Sequence, residues 1–226
     1  LANADVTFSF GANFLETYLS PVAYSRGFAQ MRGGHAGQRG YLVQFEPRLS
    51  QTAATADEWI PVAPGSEGLV ALAIGRLVAE ASGSAIPNAF LDVIVGNAAD
   101  ASGVSEDDLR RLATLFAQAA HPLAIPGGGA LGQSNGLETT QAVLALNSLV
   151  GNLGNPGGMF ISPVTPIHTD LPKMPNSLLE VNDLVSRMRE GRVKVLFVHG
   201  INPLFELPAS LGFEPALANV PLVVSF

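Results

Sequence analysis

The 226-residue sequence contains no cysteine. Disulfide bridges, thiolate zinc sites and cysteine-ligated iron–sulfur clusters are therefore excluded within these residues. The histidines are far apart and match no metal-binding spacing such as i, i+4 on one helix; they are His35, His121, His168 and His199. We expect no metal site within this sequence, so that any metal cluster of the protein lies elsewhere.

Charged residues and long apolar runs are also scarce. Only 14% of the residues are charged, whereas 47% are hydrophobic and the mean hydropathy is +0.30. No stretch reaches the roughly 18 uninterrupted apolar residues of a membrane-spanning helix, so a core or partner subunits must cover the apolar surface. The net charge of −7 and the lack of a basic run argue against a nucleic-acid partner.

The sequence lacks an initiating methionine and a charged leader, and it stops within an apolar run, VPLVVSF. We expect it to be a fragment of a larger chain. The missing leader therefore says nothing about the compartment of the protein.

Two stretches of the sequence resemble each other. Residues 6–16 read VTFSFGANFLE and residues 195–206 read VLFVHGINPLFE, so in each an apolar run meets a Gly-x-Asn turn at Gly11 and Asn13 or at Gly200 and Asn202. We expect two parallel strands whose turns share one sheet edge and form two equivalent half-sites, because ligands bind at the carboxyl ends of parallel strands. The alternative is ordinary turn chemistry.

Strand and helix patterns alternate along the chain, which predicts an α/β fold with a doubly wound, mostly parallel sheet and flanking helices. The predicted strands are 6–10, 41–45, 58–62, 122–126, 193–199 and 222–226. The predicted helices are 21–31, 67–81 with Ser66 as its cap, 87–95, 105–120 with Ser105 as its cap, 137–150, 178–190 and a short one near 208–211. Two related halves, 1–82 and 122–226, would flank a helical insert at 83–121. The proline-rich stretch 159–176 predicts a long surface loop that contacts a partner.

Catalytic motifs are absent. No serine lies in a Gly-x-Ser-x-Gly elbow, and no carboxylate pair stands out for acid and base catalysis. The glycines at 127–129 follow a predicted strand and precede a predicted helix, as in a phosphate-binding loop. The Lys-Ser/Thr of a P-loop is missing and the G-x-G-x-x-G spacing is incomplete, so an unrelated nucleotide-binding domain stays a weaker alternative.

A more specific pattern lies between Glu46 and Glu67, EPRLSQTAATADEWIPVAPGSE. An acid ends a strand, Arg48 follows two residues later, and a Pro-Gly-Ser-Glu sequence containing Gly65 starts the next helix. This arrangement could place carboxylates on a guanine edge and backbone amides near phosphate.

These residues resemble the molybdopterin oxidoreductase (dimethyl sulfoxide reductase) superfamily. There the corresponding segment runs Asp-Pro-Arg, Thr, Ala, Ala-Asp and then Pro-Gly-Thr-Asp, and Gly-x-Asn-Pro loops approach two pterin guanine dinucleotides from pseudo-equivalent halves. The stretch GGGALGQSNGLETTQAVLALNSLVGNLGNPGG also resembles that family. The resemblance covers nearly the whole chain, and it would assign molybdopterin guanine dinucleotide binding to Gly11, Asn13, Glu46, Arg48, Gly65, Glu67, Gly200 and Asn202.

The chain departs from this pattern at the acids. Glu46 and Glu67 stand where the family has aspartates, and the first turn lacks the proline after Asn13. The added methylene displaces each carboxylate, which would spoil a bidentate bond to guanine and indicates a vacated site without cofactor, catalytic or metal-binding residues. The alternative is an active oxidoreductase fragment that binds the dinucleotide.

The variant pattern, with FLETYLSPVAYSRGFAQMR after the first turn, resembles the iron–sulfur and molybdopterin-like subunit of alternative complex III, a membrane-bound quinol:electron acceptor oxidoreductase. The resemblance implies a cofactor-free scaffold domain in respiratory or photosynthetic electron transfer, with iron–sulfur clusters in another part of the subunit. It also implies partners, namely a quinol-binding membrane subunit and cytochrome c subunits. The location implied is peripheral, on the periplasmic face of the bacterial inner membrane.

Overall fold

The computed structural model describes residues 1–33, 39–83, 85–160 and 177–226. The chain divides into two compact units, Leu1–Ile161 and Ser162–Phe226. The predicted proline-rich loop at 159–176 lies outside the described residues except at its first two positions. In the part of the chain that the structure describes, no helix is both long and apolar enough to cross a membrane.

The first unit is built on a sheet of four parallel strands. In chain order they are β1 (Val6–Phe10), β2 (Tyr41–Phe45), β3 (Glu58–Ile60) and β4 (Pro122–Pro126), and in space their order is β3-β2-β1-β4. Every residue of β1 is buried. This agrees with its continuous VTFSF run, since strands covered on both faces lose the alternation of polar and apolar residues.

Helices cover both faces of this sheet. The first unit contains α1 (Pro21–Gly33), α2 (Gln51–Thr55), α3 (Glu67–Ala81), α4 (Asn88–Leu91), α5 (Val95–Ser102), α6 (Glu106–Gln118) and α7 (Gly136–Leu149), with a 3₁₀ turn at Gly128–Ala130. On one face, Phe8 packs with residues of α3, α6 and α7. On the other face, Leu42 and Leu123 pack with Phe14 and with Met31 of α1. The predicted doubly wound α/β fold is therefore confirmed.

Helix starts agree with the sequence in part. The hydroxyl of Ser105 accepts a hydrogen bond from the Asp108 amide, 3.1 Å away, which confirms it as the cap of α6. Ser66 stands at the N-cap position of α3 as predicted, but its side chain makes no capping hydrogen bond, because its hydroxyl donates to the Ala63 carbonyl at 2.6 Å. The short helices α2 and α5, and a further one at Phe213–Leu217, were not predicted, since five to eight residues show too little periodicity.

The outer edge of β4 is closed by a side chain. The amide group of Asn147 accepts from the Ala124 N–H at 3.0 Å and donates to the Ala124 carbonyl at 2.8 Å, as a neighbouring strand would. Pro122 and Pro126 have no N–H to offer a further strand. The sheet of the first unit therefore ends at β4.

The second unit is smaller. It contains α8 (Leu178–Arg189), β5 (Val195–Val198), α9 (Pro203–Glu206), a 3₁₀ turn at Ala209–Leu211, α10 (Phe213–Leu217) and β6 (Leu222–Ser225). The strands β5 and β6 form a parallel pair. Its core joins Val185 and Met188 of α8 to Phe213 and Ala216 of α10. A capping box between Ser177 and Glu180 starts α8.

Two expectations about the halves of the chain need correction. The strands β1 and β5 belong to different sheets, so the prediction that both Gly-x-Asn turns share one sheet edge is wrong. The physical reason is that β1 already bonds β2 and β4 on its two sides, while the free edge of β4 is closed by Asn147. The compact units also differ from the halves 1–82 and 122–226, because β4 pairs with β1 in the first unit.

Candidate functional site

A small recess of about 110 Å³ lies at the carboxyl end of the sheet in the first unit. The loops after β1, β2 and β4 and the first turn of α3 converge there, because the carboxyl ends of parallel strands meet at one edge. Of the residues predicted for a cofactor site, those that line the recess are Gly11, Asn13, Glu46, Arg48 and Glu67. The structure thus brings together five of these residues, which lie up to 56 positions apart in the sequence.

Glycines bring the loops of β1 and β4 into backbone contact. Gly11 has φ +73° and donates its N–H to the Phe45 carbonyl at 2.9 Å. At Gly128, with φ +54°, a Cβ would lie 2.1 Å from the Gly11 carbonyl oxygen and 2.9 Å from Asn13 Oδ1. The glycines of this loop thus permit close packing within the protein itself. The hydroxyl of Tyr18 ties the loop further by donating to the Pro126 carbonyl at 3.0 Å.

Asn13 stabilises its own turn. Its side-chain amide donates to Thr17 Oγ1 at 2.6 Å, and its carbonyl accepts from the backbone amides of Glu16 and Thr17. Part of its hydrogen-bonding capacity is therefore used within the chain. The interpretation of the Gly-x-Asn turn as turn chemistry is supported at this position.

Glu46 is 4% exposed and both carboxylate oxygens have partners within the chain. Oε1 accepts from the Ser50 amide at 2.7 Å, and Oε2 accepts from Gln44 Nε2 at 3.0 Å. Its carbonyl also accepts from the Trp59 indole N–H at 3.0 Å. The added methylene of glutamate thus serves to hold the loop between β2 and α2.

Glu67 is 2% exposed, and its Oε2 has no hydrogen-bond partner among the described residues. Burial raises the pKa of this carboxyl, and the negative charge of Glu46 raises it further, against the opposing effect of nearby backbone amides. Arg48 does not neutralise it inside the protein, because the Arg48 side chain is 69% exposed and lies 3.9 Å from Glu16.

The remaining predicted residues have structural partners outside the recess. The Gly65 carbonyl accepts from Asn135 Nδ2 at 2.7 Å, next to the start of α3. In the second unit, Gly200 has φ +66°, and Asn202 Oδ1 accepts from the Leu204 amide at 3.2 Å, which caps α9. The second Gly-x-Asn turn is therefore confirmed as a local turn.

The sequence analysis missed Gln44 and Gln133. Gln133 lines the recess, and Gln44 holds Glu46 while its own Oε1 is buried with no partner among the described residues. A polar side chain inside the buried run YLVQF was the available signal, because a buried amide needs a partner nearby.

The recess formed by this chain offers little volume and few free polar groups to a pterin guanine dinucleotide. Pockets that bind small molecules usually enclose about 300–1,000 Å³, and this recess is several times smaller. Each carboxylate oxygen of Glu46 already accepts a hydrogen bond from within the chain. Burial raises the pKa of Glu67 and so disfavours its charged form, which is the better acceptor for guanine donors.

The fold and the recess define the class of the protein. It is a doubly wound α/β domain whose loops converge at the carboxyl ends of parallel strands. The chain belongs to the molybdopterin oxidoreductase family, whose model matches residues 1–225.

Several known proteins are similar to this chain. The menaquinone reductase molybdopterin-binding-like subunit of Nitratidesulfovibrio vulgaris is 30% identical over 240 residues, which cover 100% of this chain and 34% of that subunit. A nitrate reductase of Shewanella frigidimarina is 25% identical over 274 residues, covering 99% of this chain and 28% of the enzyme. Acetylene hydratase from Pelobacter acetylenicus shares the fold with a TM-score of 0.70 at 17% identity, covering 99% of this chain and 38% of the hydratase. The chain thus spans about a third of the length of these proteins.

Proposed function

We propose that this chain is a cofactor-free, molybdopterin oxidoreductase-like scaffold domain in a subunit of a membrane-bound quinone-linked electron-transfer complex. The 30% identity to a menaquinone reductase subunit over the full chain supports the quinone-linked class. Within that class we assign the chain to the iron–sulfur and molybdopterin-like subunit of an alternative complex III type assembly. Its clusters would lie in another part of the subunit, and it would sit on the periplasmic face, held by a quinol-binding membrane subunit and cytochrome c subunits.

One observation carries the cofactor-free part of the proposal. Glu46 stands where the family has aspartate, and each of its carboxylate oxygens accepts a hydrogen bond from within the chain, one from the Ser50 amide and one from Gln44. A guanine edge needs two free acceptor positions in one plane, and displacing these internal partners would leave buried donors unpaired, at a cost of about 1–3 kcal/mol each. Both carboxylate oxygens of Glu46 therefore already accept hydrogen bonds from the protein itself.

A second candidate function rests on Glu67. Its Oε2 has no partner among the described residues and lies beside the glycine loop at 127–129, so it could accept a donor of a bound pterin guanine dinucleotide. The chain would then be part of a working molybdenum or tungsten oxidoreductase.

Metal and pterin analysis of the full-length protein, purified with its complex, separates the two functions. Molybdenum and tungsten are measured by mass spectrometry of the digested sample, and pterin by the fluorescence of its oxidised derivative. We expect both far below one per chain, with an active nitrate reductase prepared in parallel as the positive control. Near-stoichiometric metal and pterin would overturn the scaffold proposal and support the enzyme.

A further inference from the structure

An apolar groove lies on the helical side of the first unit and shares no lining residue with the recess. It has a volume of about 540 Å³ and lies among α3, α4 and α5. Leu72, Val93 and Ala98 contribute to its floor. Among its lining residues, Leu69 is 40% exposed and Ile94 is 63% exposed. This is a concave surface of the kind that accepts an apolar helix face.

The wall of this groove is held in place from beneath. Phe90 of α4 is 1% exposed and packs on Gly75 of α3, where a Cβ would lie 2.3 Å from the Phe90 ring. Arg76 donates to the Leu91 carbonyl at 2.7 Å. With Phe90 directed inward and the backbone tied to α3, Leu91 and Ile94 remain at the surface. A groove formed before binding loses less entropy when a partner docks.

The segment that forms the groove carries a net negative charge. Residues 67–102, which include α3, α4 and α5, contain four acidic residues and one basic residue. That basic residue, Arg76, is already paired with Glu80. Asp92, which lines the groove, and Asp100 on α5 form no ion pair with any described residue. An apolar floor with an uncompensated acidic rim complements a cationic amphipathic partner.

We propose that this groove docks a cationic amphipathic helix of another subunit of the complex. Apolar side chains at i, i+3 or i+4, and i+7 of that helix would cover Leu69 and Ile94, and its lysines would meet Asp92 and Asp100. A second copy of this chain would present the same negative surface, and an anionic membrane would be repelled for the same reason. The inference rests on the proposed function, since only a subunit of an assembly has such a partner.

Zero-length carbodiimide coupling of the intact complex, followed by peptide mass spectrometry, tests the proposal. This reagent joins a carboxylate to a lysine in direct contact. The expected result is coupling of Asp92 or Asp100 to a lysine of a different subunit, within a segment of helical amphipathic pattern. Coupling only to lysines of the same polypeptide or of a second copy, or no coupling at either residue, would overturn it.

Two matched variants give an independent readout. Ile94→Glu should weaken retention of the coupled subunit about tenfold or more, as expected for loss of a central apolar contact. Leu137→Glu changes an equally exposed leucine of α7, 68% exposed against 63% for Ile94, and should leave retention unchanged. Equal retention in both variants, or equal loss, contradicts the groove as the docking site. Metal and pterin content is measured on the same preparation. A failure of the proposed function can therefore be told apart from a failure of the docking proposal.

Discussion

The two glutamates of the recess differ at the scale of single residues. Glu46 is fixed by Ser50 and Gln44, whereas Glu67 Oε2 has no partner among the described residues. Both are almost fully buried, and burial raises the pKa of Glu67 above its ordinary value of 4.5. Glu46 therefore stabilises its loop, while the charge of Glu67 costs folding free energy at neutral pH.

The substitution Glu67→Gln should stabilise the protein at high pH. With the pKa of Glu67 raised in the folded state, the folded protein holds a proton that the unfolded chain releases above about pH 4.5. The stability contributed by that proton is fully present below the ordinary pKa and is lost as pH rises through the folded pKa. The thermal midpoint of Glu67→Gln, relative to the unmodified full-length protein, should rise from pH 4 to pH 8.

The matched control is Glu46→Gln, which replaces an acceptor by a donor facing Ser50 or Gln44. It should lower stability by about 1–3 kcal/mol at pH 8. If the thermal midpoint of Glu67→Gln, relative to the unmodified protein, decreases as the pH is raised from 4 to 8, the charged form of Glu67 is stabilising.

Gly128 lies in the loop after β4, next to a residue that lines the recess, and it has almost no space for a side chain. A Cβ there would lie 2.1 Å from a backbone oxygen, and its φ of +54° disfavours other residues. Gly128→Ala should therefore cost about 2–4 kcal/mol in urea unfolding of the full-length protein. The neighbouring Gly129 has open space at its Cβ position, so Gly129→Ala should change stability by less than about 1 kcal/mol. Similar losses of unfolding free energy in both variants would show that close backbone packing at Gly128 does not stabilise the loop.

At the scale of elements, the end of the first sheet depends on one side chain. Asn147 of α7 satisfies the N–H and carbonyl of Ala124, and its Nδ2 also donates to the Val143 carbonyl at 2.9 Å. The helix thus closes the edge of the strand on which it packs. An exposed parallel edge would otherwise offer its backbone to other chains.

The substitution Asn147→Ala should destabilise the first unit by about 2–4 kcal/mol, since it leaves two buried backbone groups of β4 unpaired. Hydrogen exchange of the full-length protein should show loss of protection at the Ala124 amide. Asn155→Ala removes a comparable bond at the surface, from Asn155 Nδ2 to the Gly151 carbonyl at 2.6 Å, and should change stability by less than about 1 kcal/mol. Unchanged protection at Ala124 would mean that water or backbone replaces the side chain.

At the scale of the whole molecule, the second unit leaves aromatic side chains at the surface. Phe197 and Phe226 stack with their ring centroids 6.5 Å apart and are 67% and 74% exposed. Phe205 is 85% exposed. Parallel strand pairs in globular proteins are normally covered on both faces, so this surface is suited to contact with another part of the assembly.

The 226-residue chain produced alone should therefore self-associate and bind a hydrophobic dye. The double substitution Phe197→Ser and Phe205→Ser should shift it towards monomer in sedimentation velocity and reduce dye binding several-fold. Leu19→Ser, at a residue that is 83% exposed in the first unit, serves as the control and should leave both unchanged. If the double variant still self-associates, residues other than Phe197 and Phe205 form the hydrophobic contact.

The sequence by itself determined the class of the fold and about half of the residues that line the recess. Continuous apolar runs located β2 and β4 to the residue, because strands buried on both faces carry a strong local signal. Alternation with helices then implied parallel strands, whose carboxyl ends must meet, and this brought together Gly11, Asn13, Glu46, Arg48 and Glu67.

Only the tertiary structure decided what those residues do. The sequence shows that Glu46 replaces an aspartate. The hydrogen bonds that its two oxygens accept from Ser50 and Gln44 depend on how the loop folds back. The end of the sheet at β4 likewise depends on Asn147, which is 23 positions from Ala124. Such contacts arise from packing between distant parts of the chain, so no local pattern encodes them, and the repeated Gly-x-Asn turns could not reveal that β1 and β5 belong to separate sheets.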